Sequence, residues 1–405
     1  MKLEFSALLR ETAYGLLARL LHPFVPVRRG HWVFGSDYGN QYREGSKYLI
    51  AYMVSEHPDY HCTFITRNPK VKAELDARGI PCEMNFSWRG VWAITRAEAV
   101  FCTQFCDDIF FAYHKARRRY YFLVHGMPYK RAFKAVPDAF KQKYERRVSG
   151  LRRLGAAFRQ WLVLAFTMDD FSMVACCSEF NQRWMPDFFG PSVAYPILGM
   201  PRNDAFFQPE RMAGEKWISQ ARGKFVVTYM PTHRAYGRGK ATPTPFASRP
   251  DIQQWMVDND VLFVMKNHPN MISVMGDVRD TPAICDITRL GIDPQIACYH
   301  SDVLVTDYSS VWMDYLLLQR PVLFYYYDDY EAEDEGLLFS IKGSSLGHHC
   351  TTEDQLFDLI RRAKTDYDSM RPSPQQVAQY HQHVDGLSCR RHFEWIVNDL
   401  NHLNA

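Results

Sequence analysis

The feature that most constrains this chain is a rhythm. Short apolar, β-rich runs recur, each closed by a polar turn and followed by a helical pattern. His31-Trp32-Val33-Phe34 is the first strand and runs into the loop Gly35-Ser36-Asp37-Tyr38-Gly39-Asn40. Helices are predicted over 44–56 and 69–78, and strands over 60–66, 99–103, 120–124 and 173–178. The second half repeats the style, with strands over 225–229, 262–265, 283–286, 303–306 and 322–326 and helical patterns over 250–258, 294–299 and 309–318. Such repetition specifies an α/β fold with mostly parallel sheets. A chain of 405 residues exceeds one ordinary core, so two domains are expected. Pro191, Pro196 and Pro201, with Gly190 and Gly199, mark the crossing between them. The expected architecture is two doubly wound, Rossmann-type domains facing a cleft, over 23–195 and 196–380. An amphipathic helix over 1–22 precedes them and a helix over 381–405 follows.

Composition excludes several classes. With 47% hydrophobic, 15% aromatic and 23% charged residues, the chain is neither disordered nor a low-complexity scaffold. The ten cysteines form no disulfide grid, and a reduced, cytoplasmic chain is the simpler reading. Cys102 and Cys106 have no second Cys/His pair nearby to complete a zinc site. Glu4, Arg10 and Glu11 interrupt the N-terminal apolar residues, so no secretory signal is read there. The longest clean apolar stretch, 161–166, is far short of the roughly 18–20 residues that span a bilayer. Residues 1–22 carry a helical apolar period ended by His22-Pro23. Either the helix docks on its own domain or it lies at a membrane interface.

In doubly wound sheets, ligands bind beyond the carboxyl ends of the strands. That position is rich in chemistry here. The first strand is followed by Gly35-Ser36, and residues 120–124 by His125-Gly126-Met127-Pro128-Tyr129-Lys130. Residues 225–229 are followed by Met230-Pro231-Thr232-His233-Arg234, residues 262–265 by Lys266-Asn267-His268-Pro269, and residues 303–305 by Thr306-Asp307-Tyr308-Ser309-Ser310. Ser309 and Ser310 open a helix, where free N–H groups favour a phosphate, and the same pair also suits an ordinary N-cap. Arg234 and Lys266 are cations able to clamp a pyrophosphate. His125 is either a structural histidine or a base held close to a reacting group. Bland, independent explanations would not gather these residues at the same end of successive strands, so a phosphate-handling cleft is the favoured reading. No Walker A or Rossmann glycine fingerprint is present, which argues against P-loop NTPases and dinucleotide oxidoreductases.

These motifs resemble the CDP-glycerol glycerophosphotransferase family, the teichoic acid primases and polymerases. His125-Gly126-Met127-Pro128-Tyr129-Lys130 is similar to its HGTPLK-type motif, and Gly199-Met200-Pro201-Arg202-Asn203-Asp204 to its G-x-PRND turn. Pro231-Thr232-His233-Arg234 resembles APT-x-R, and Lys266-Asn267-His268-Pro269 resembles K-x-HP. Thr306-Asp307-Tyr308-Ser309-Ser310 through Asp314-Tyr315 resembles TDYSS-x-x-x-DY, with Arg320-Pro321 after it. Met127, Tyr129 and His233 depart from the family pattern. The resemblance implies a GT-B fold and transfer of glycerol phosphate from CDP-glycerol to an acceptor hydroxyl, with release of CMP. It implies His125 as general base, His268 and Arg234 on the donor phosphates or departing CMP, and Lys266, Thr306, Asp307, Ser309 and Ser310 at the donor. Asp314 reaches a ribose or glycerol hydroxyl, or is a solvated or capping Asp. Gly126, Lys130 and Ser36 fall on the acceptor side. No cofactor is implied, and the absence of a D-x-D pair suggests metal-independent chemistry. Asp328-Asp329 and Glu333-Asp334-Glu335 read as a solvated loop before a cation site. CDP-ribitol is the close alternative donor, and a sugar-nucleotide glycosyltransferase or epimerase of the same fold is the second class.

Charge is unevenly spread. Residues 115–159 hold fourteen Lys and Arg against Asp138 and Glu145, a local +12 in a chain whose total is +3. Within them Tyr144, Val148, Leu151, Leu154, Phe158, Trp161, Leu162 and Ala165 recur every three or four residues, predicting a basic amphipathic helix over about 141–166. Its Arg146, Arg147, Arg152 and Arg153 suit an anionic inner-membrane surface, an anionic polymer or lipid-linked acceptor, or a solvated face. No stacking platform or helix-turn-helix accompanies the charge, so nucleic acid is not the expected partner. The expected location is cytoplasmic, peripheral on the inner face of the membrane. A homo-oligomer stays open.

Overall fold

A computed structural model describes residues 13–18, 20–21, 23–104, 108–109, 118–131, 170–212, 217–232, 243–267, 280–328 and 336–404. Twelve strands form two sheets of six. The first sheet contains β1 (Arg28–Phe34), β2 (His61–Thr66), β3 (Cys82–Met84), β4 (Ala97–Cys102), β5 (Arg119–Phe122) and β6 (Met173–Val174), in the order β3-β2-β1-β4-β5-β6. The second contains β7 (Phe225–Tyr229), β8 (Val261–Met265), β9 (Ile284–Asp286), β10 (Val303–Thr306), β11 (Val322–Tyr325) and β12 (His348–Cys350), in the order β12-β11-β10-β7-β8-β9. Every pairing is parallel. Counted from its own first strand, each sheet runs 3-2-1-4-5-6, the doubly wound order whose direction reverses between strands 1 and 4. Those reversal points are β1/β4 and β7/β10.

Parallel strands are buried on both faces, which is why they appear in the sequence as continuous apolar runs. Trp32, Val33 and Phe34 of β1 and all of Val303–Thr306 in β10 are buried. In the second sheet Val227, Tyr229, Phe263, Met265, Val303, Val305 and Leu323 form one core cluster with Ile252 and Met256 of the helix Pro250–Asp258. The helix α1 (Glu44–Glu56) follows β1, and α2 (Pro69–Ala77) follows β2 with Asn68 capping it through Lys70 N–H. The chain ends in α3 (Ser388–Asn404).

The described residues fall into two units. One takes those of Met1–His125, Ala132–Asp204 and Asp385–Ala405; the other takes those of Gly126–Arg131 and Ala205–Val384. The strand rhythm read from the sequence is present, with ends moved by one to a few residues. Among the described elements, β3, the helix Trp88–Arg96 after it, β12 and the helices Glu353–Thr365 and Pro374–Tyr380 are among those the sequence reading did not mark. β3 and β12 are three-residue edge strands with polar residues in them, too short to show a period. Of the 1–22 helix, residues 13–18 and 20–21 are helical. The basic helix over 141–166, with Arg146, Arg147, Arg152 and Arg153, lies outside the described residues. Arg118, counted with that cationic stretch, is instead 1% exposed, and its guanidinium donates to the carbonyls of Ile94 and Thr95 at 2.7 and 2.8 Å, closing the Trp88–Arg96 helix. Among the described residues no helix is long and apolar enough to cross a membrane. The nine described cysteines form no disulfide with one another and are buried.

Candidate active site

In the first unit, the loop from β1 to α1 is tightly constrained. Asp37, Tyr38 and Gly39 all take left-handed backbone, with φ of 50°, 56° and 75°, and Glu44 follows at 61°. Non-glycine residues held there carry strain of about 1–3 kcal/mol each, which the surroundings must enforce. The enforcing group is Asp108, fully buried below the end of β4. Its Oδ1 accepts from Tyr38 N–H at 2.6 Å, and its Oδ2 accepts from the N–H groups of Thr103 and Gln104 at 2.6 and 2.8 Å. One carboxylate thus clasps the loops after β1 and β4, the reversal point of the sheet. Burial pushes Asp108 up to about 7, against the pull of those N–H groups. A Cβ on Gly35 would lie 2.7 Å from Asp108 Cβ, so only glycine permits this approach.

The loop delivers Glu44 to His125. His125 follows β5 and is half-exposed, while Glu44 is buried. A carboxylate only accepts, so Nδ1 carries the hydrogen and donates to Glu44 Oε1 in a short bond. Burial alone would raise the Glu44 carboxyl, but His125, Arg43 and Thr103 outweigh it and hold the group down at about 2. Arg43 also pairs with Asp37 at 2.5 Å. With Nδ1 fixed as donor, Nε2 is left as the basic nitrogen.

The Pro201-Arg202-Asn203-Asp204 turn supports this pair from behind. Buried Arg202 donates to the backbone carbonyl of His125. Asp204 accepts from the N–H groups of Ser388 and Cys389 at 2.8 and 2.7 Å, capping α3. Gly199, at φ 76°, faces Ser388 Oγ, which a Cβ would meet at 2.5 Å. Ser36 is spent within its loop. Its fully buried hydroxyl donates to Gln41 O at 2.6 Å and accepts from Arg43 N–H at 3.3 Å, so it shapes the turn instead of presenting a donor.

Gly126 and Lys130, read as acceptor-side residues, group with the second unit. Lys130 bridges antiparallel to Leu337, Arg131 N–H donates to Gly336 O, and Leu338 N–H donates to Tyr129 O. Tyr129 is buried against Trp312 and Phe339, with ring centroids 5.8 and 5.1 Å away. The departures at Met127 and Tyr129 are therefore packing choices, since both side chains are buried.

The second unit repeats the clasp. Asp307, fully buried after β10, accepts from the N–H groups of Thr232 and Tyr308 through Oδ1, both at 2.7 Å. Thr306 Oγ1 donates to Met230 O at 2.7 Å. These two residues tie the ends of β7 and β10 together through Thr306 Oγ1 and Asp307 Oδ1. Ser309 and Ser310 differ. They are part-buried, precede the helix Val311–Tyr315, and Ser310 makes no side-chain cap bond. Lys266 is buried beyond β8. Asp314 is buried too, so it is no solvated residue; its charge acts on His381, whose Nε2 meets Met313 O at 2.5 Å. Arg234, His268, Asp329, Glu333, Asp334 and Glu335 lie outside the described residues. Among the described residues no cluster of three His, Cys, Asp or Glu side chains is arranged for a metal.

Sequence reasoning missed Glu44, Asp108 and Arg202 as members of the site. A glutamate in a helical first turn looks like ordinary dipole compensation, and the Asp108 clasp joins loops that share no period. Arg202 alone carried a signal, through its place in the PRND turn.

Known proteins resemble this chain in sequence and in fold. The chain is 24% identical over 366 residues to the teichoic acid poly(glycerol phosphate) polymerase of Bacillus subtilis, covering 85% of this chain and 45% of that protein. It is 25% identical over 356 residues to a teichoic acid glycerol-phosphate transferase of Staphylococcus aureus, covering 81% and 82% respectively. The chain thus spans under half of the first relative and most of the second. In three dimensions the wall teichoic acid polymerase TagF superposes with a TM-score of 0.69 at 18% identity, covering 98% of each chain, which shows a shared GT-B-like fold. Residues 17–398 match the model of the CDP-glycerol:poly(glycerophosphate) glycerophosphotransferases, and the chain belongs to that family.

Proposed function

We propose that this chain transfers glycerol phosphate from CDP-glycerol to a hydroxyl of a lipid-linked or polymeric acceptor, releasing CMP, in the assembly of a teichoic-acid-like or capsular cell-surface polymer. The observation that carries the reading is the His125–Glu44 pair in a member of this family. His125 Nε2 takes the proton of the acceptor hydroxyl. The acceptor oxygen forms a new bond to the glycerol-bearing phosphorus, the bond to the bridging oxygen breaks, and CMP leaves with that electron pair. Glu44 acts through Nδ1 as a positioning residue: it fixes the tautomer and favours the imidazolium that forms. Arg234, Lys266 and His268 offset charge on the donor phosphates and the departing CMP, and Ser309 and Ser310 donate hydroxyls to the pyrophosphate. Catalysis of such a transfer is mostly positioning and charge stabilisation. Asp314 and Lys130 serve donor and acceptor hydroxyls. The enzyme works on the inner face of the membrane, held there by its cationic segment.

The test is incubation with CDP-glycerol, CDP-ribitol and lipid-linked acceptors, scoring CMP. The expected result is CMP release with CDP-glycerol, lost by about 10³-fold or more in His125→Ala while the circular dichroism spectrum is retained. Preference for CDP-ribitol would change the donor alone. Release of a nucleoside diphosphate would move the chain to the sugar-nucleotide enzymes, and undiminished cellular function of His125→Ala would make it a scaffold.

A further inference from the structure

The helix Trp88–Arg96 lies between β3 and β4, and its two faces are unlike each other. Gly90, Val91, Ala93, Ile94 and Thr95 are buried. The contact on that side is close: a Cβ on Gly90 would fall 2.0 Å from Met84 O, so the helix is seated hard on the end of β3. The other face carries Trp88, Arg89 and Trp92, which are exposed, and Arg96, which is half-buried. At helical spacing these four fall within an arc of about 100°. Trp88 is 55% exposed and Trp92 40%. Their rings stack at 6.3 Å and 20°, and the Arg96 guanidinium lies 5.3 Å over Trp92. The helix contains no acidic residue.

A solvent face made of two tryptophans and two arginines is not what water selects. Soluble surfaces seldom leave large aromatics paired and open unless a partner covers them. Tryptophan has an apolar body and one N–H donor, and it settles at the headgroup level of bilayers. Arginine beside it matches the negative potential of an anionic leaflet. The other occupants fit less well. A two-fold contact with a second copy would set Arg89 and Arg96 against their own equivalents with no acid on the helix to meet them. A polymer chain needs a concave track, and this is the convex side of a single helix.

We infer that the outward face of Trp88–Arg96 docks on an anionic lipid surface, with Trp88 and Trp92 entering the headgroup layer and Arg89 and Arg96 meeting lipid phosphates. The inference rests on the peripheral-membrane reading above and deepens it, by adding a rigid, folded contact separate from the 141–166 segment. Because the helix is already packed, docking requires no folding on the surface.

The test is flotation with vesicles of phosphatidylcholine alone and of phosphatidylcholine mixed with phosphatidylglycerol. Wild type should float with the anionic vesicles, and Trp88→Ala with Trp92→Ala should bind about tenfold more weakly at unchanged Tm. Arg89→Gln with Arg96→Gln keeps the aromatic pair and should weaken only the salt-sensitive part. Brominated lipid should quench wild-type tryptophan fluorescence, and the quenched share should fall in the double Trp variant to what Trp161 of the 141–166 segment supplies. If wild type floats and the Trp variant floats and is quenched equally, the inference is overturned. It is also overturned if the Trp variant only changes the oligomeric state. If wild type does not float on any vesicle, the peripheral reading itself fails.

Discussion

Glu44 and His125 stand eighty-one residues apart and meet because four backbone positions of one loop accept left-handed geometry. The carboxylate is held at about 2, below its ordinary 4.5, by the histidine it faces, by Arg43 and by Thr103, all working against burial. A depressed carboxyl contributes its stability above its unfolded value and loses it as the pH falls through the folded one. The pair is therefore at full strength above about pH 4.5 and fades toward pH 2. Glu44→Gln should flatten the fall of Tm over that interval. It should also lower kcat by about 10²-fold with little change in KM, because Gln can still accept from Nδ1 but no longer favours the imidazolium. A change in KM alone would show that Glu44 shapes binding and not proton transfer. Asp108 titrates the other way. Burial raises it to about 7, so what it gains from staying protonated is complete below about 3.8 and lost as the pH rises through 7.

Elements explain why the motifs are shaped as they are. The PRND turn spends its Arg202 and Asp204 side chains on backbone groups. Asp204 caps α3 through two backbone N–H groups, and Arg202 fixes the carbonyl of His125. Asp204→Ala should lower the stability by about 1–3 kcal/mol, seen as a shift in denaturant midpoint, because two buried N–H groups lose their acceptor. The serines that open Val311–Tyr315 behave differently. Ser310 makes no cap bond, so Ser309→Ala with Ser310→Ala should leave Tm within about 1–2 °C and raise the donor KM by about tenfold. A fall in Tm with an unchanged KM would return them to a structural role.

Much of this was legible beforehand. Strands β7 and β10 and helix α1 stand where the apolar runs and helical spacing put them, since an element buried on both faces leaves a continuous signature. The clasps of Asp108 and Asp307 were not legible, because a buried carboxylate serving backbone N–H groups of two loops has no period and resembles a surface turn in sequence. Thr306 and Asp307 read as donor ligands, and in the structure Thr306 Oγ1 and Asp307 Oδ1 bond backbone groups. Arg118 misled in the same way: a positive charge was counted toward a surface, and a helix end consumed it.

At the scale of the whole molecule, two sheets of identical order place their chemistry at equivalent points. Each reversal, β1/β4 and β7/β10, is closed by one buried aspartate accepting from both loops. The sheets differ in what that closure presents: in the first unit it orients the loop that brings Glu44 to His125, and in the second it sets Ser309 and Ser310 at a helix start. The remaining asymmetry is charge. Residues 115–159 carry +12 against a chain total of +3, so everything else is acidic by nine charges. A nearly neutral average would give weak, salt-insensitive attraction to an anionic bilayer. On the proposed membrane contact, the segregated charge, +11 once Arg118 is withdrawn into the fold, would give attraction of about 1 kcal/mol per cation near the surface, falling off within a Debye length of about 8–10 Å. Replacing Arg146, Arg147, Arg152 and Arg153 by Glu changes the local charge by eight units. It should release the protein from phosphatidylglycerol-containing vesicles at low salt and leave CMP release with a water-soluble acceptor intact. Wild-type binding should fall steeply between low salt and physiological salt, and the variant should show no such slope. Equal flotation of the two proteins at low salt would remove the 115–159 segment from the membrane contact and leave the Trp88–Arg96 face to carry it alone.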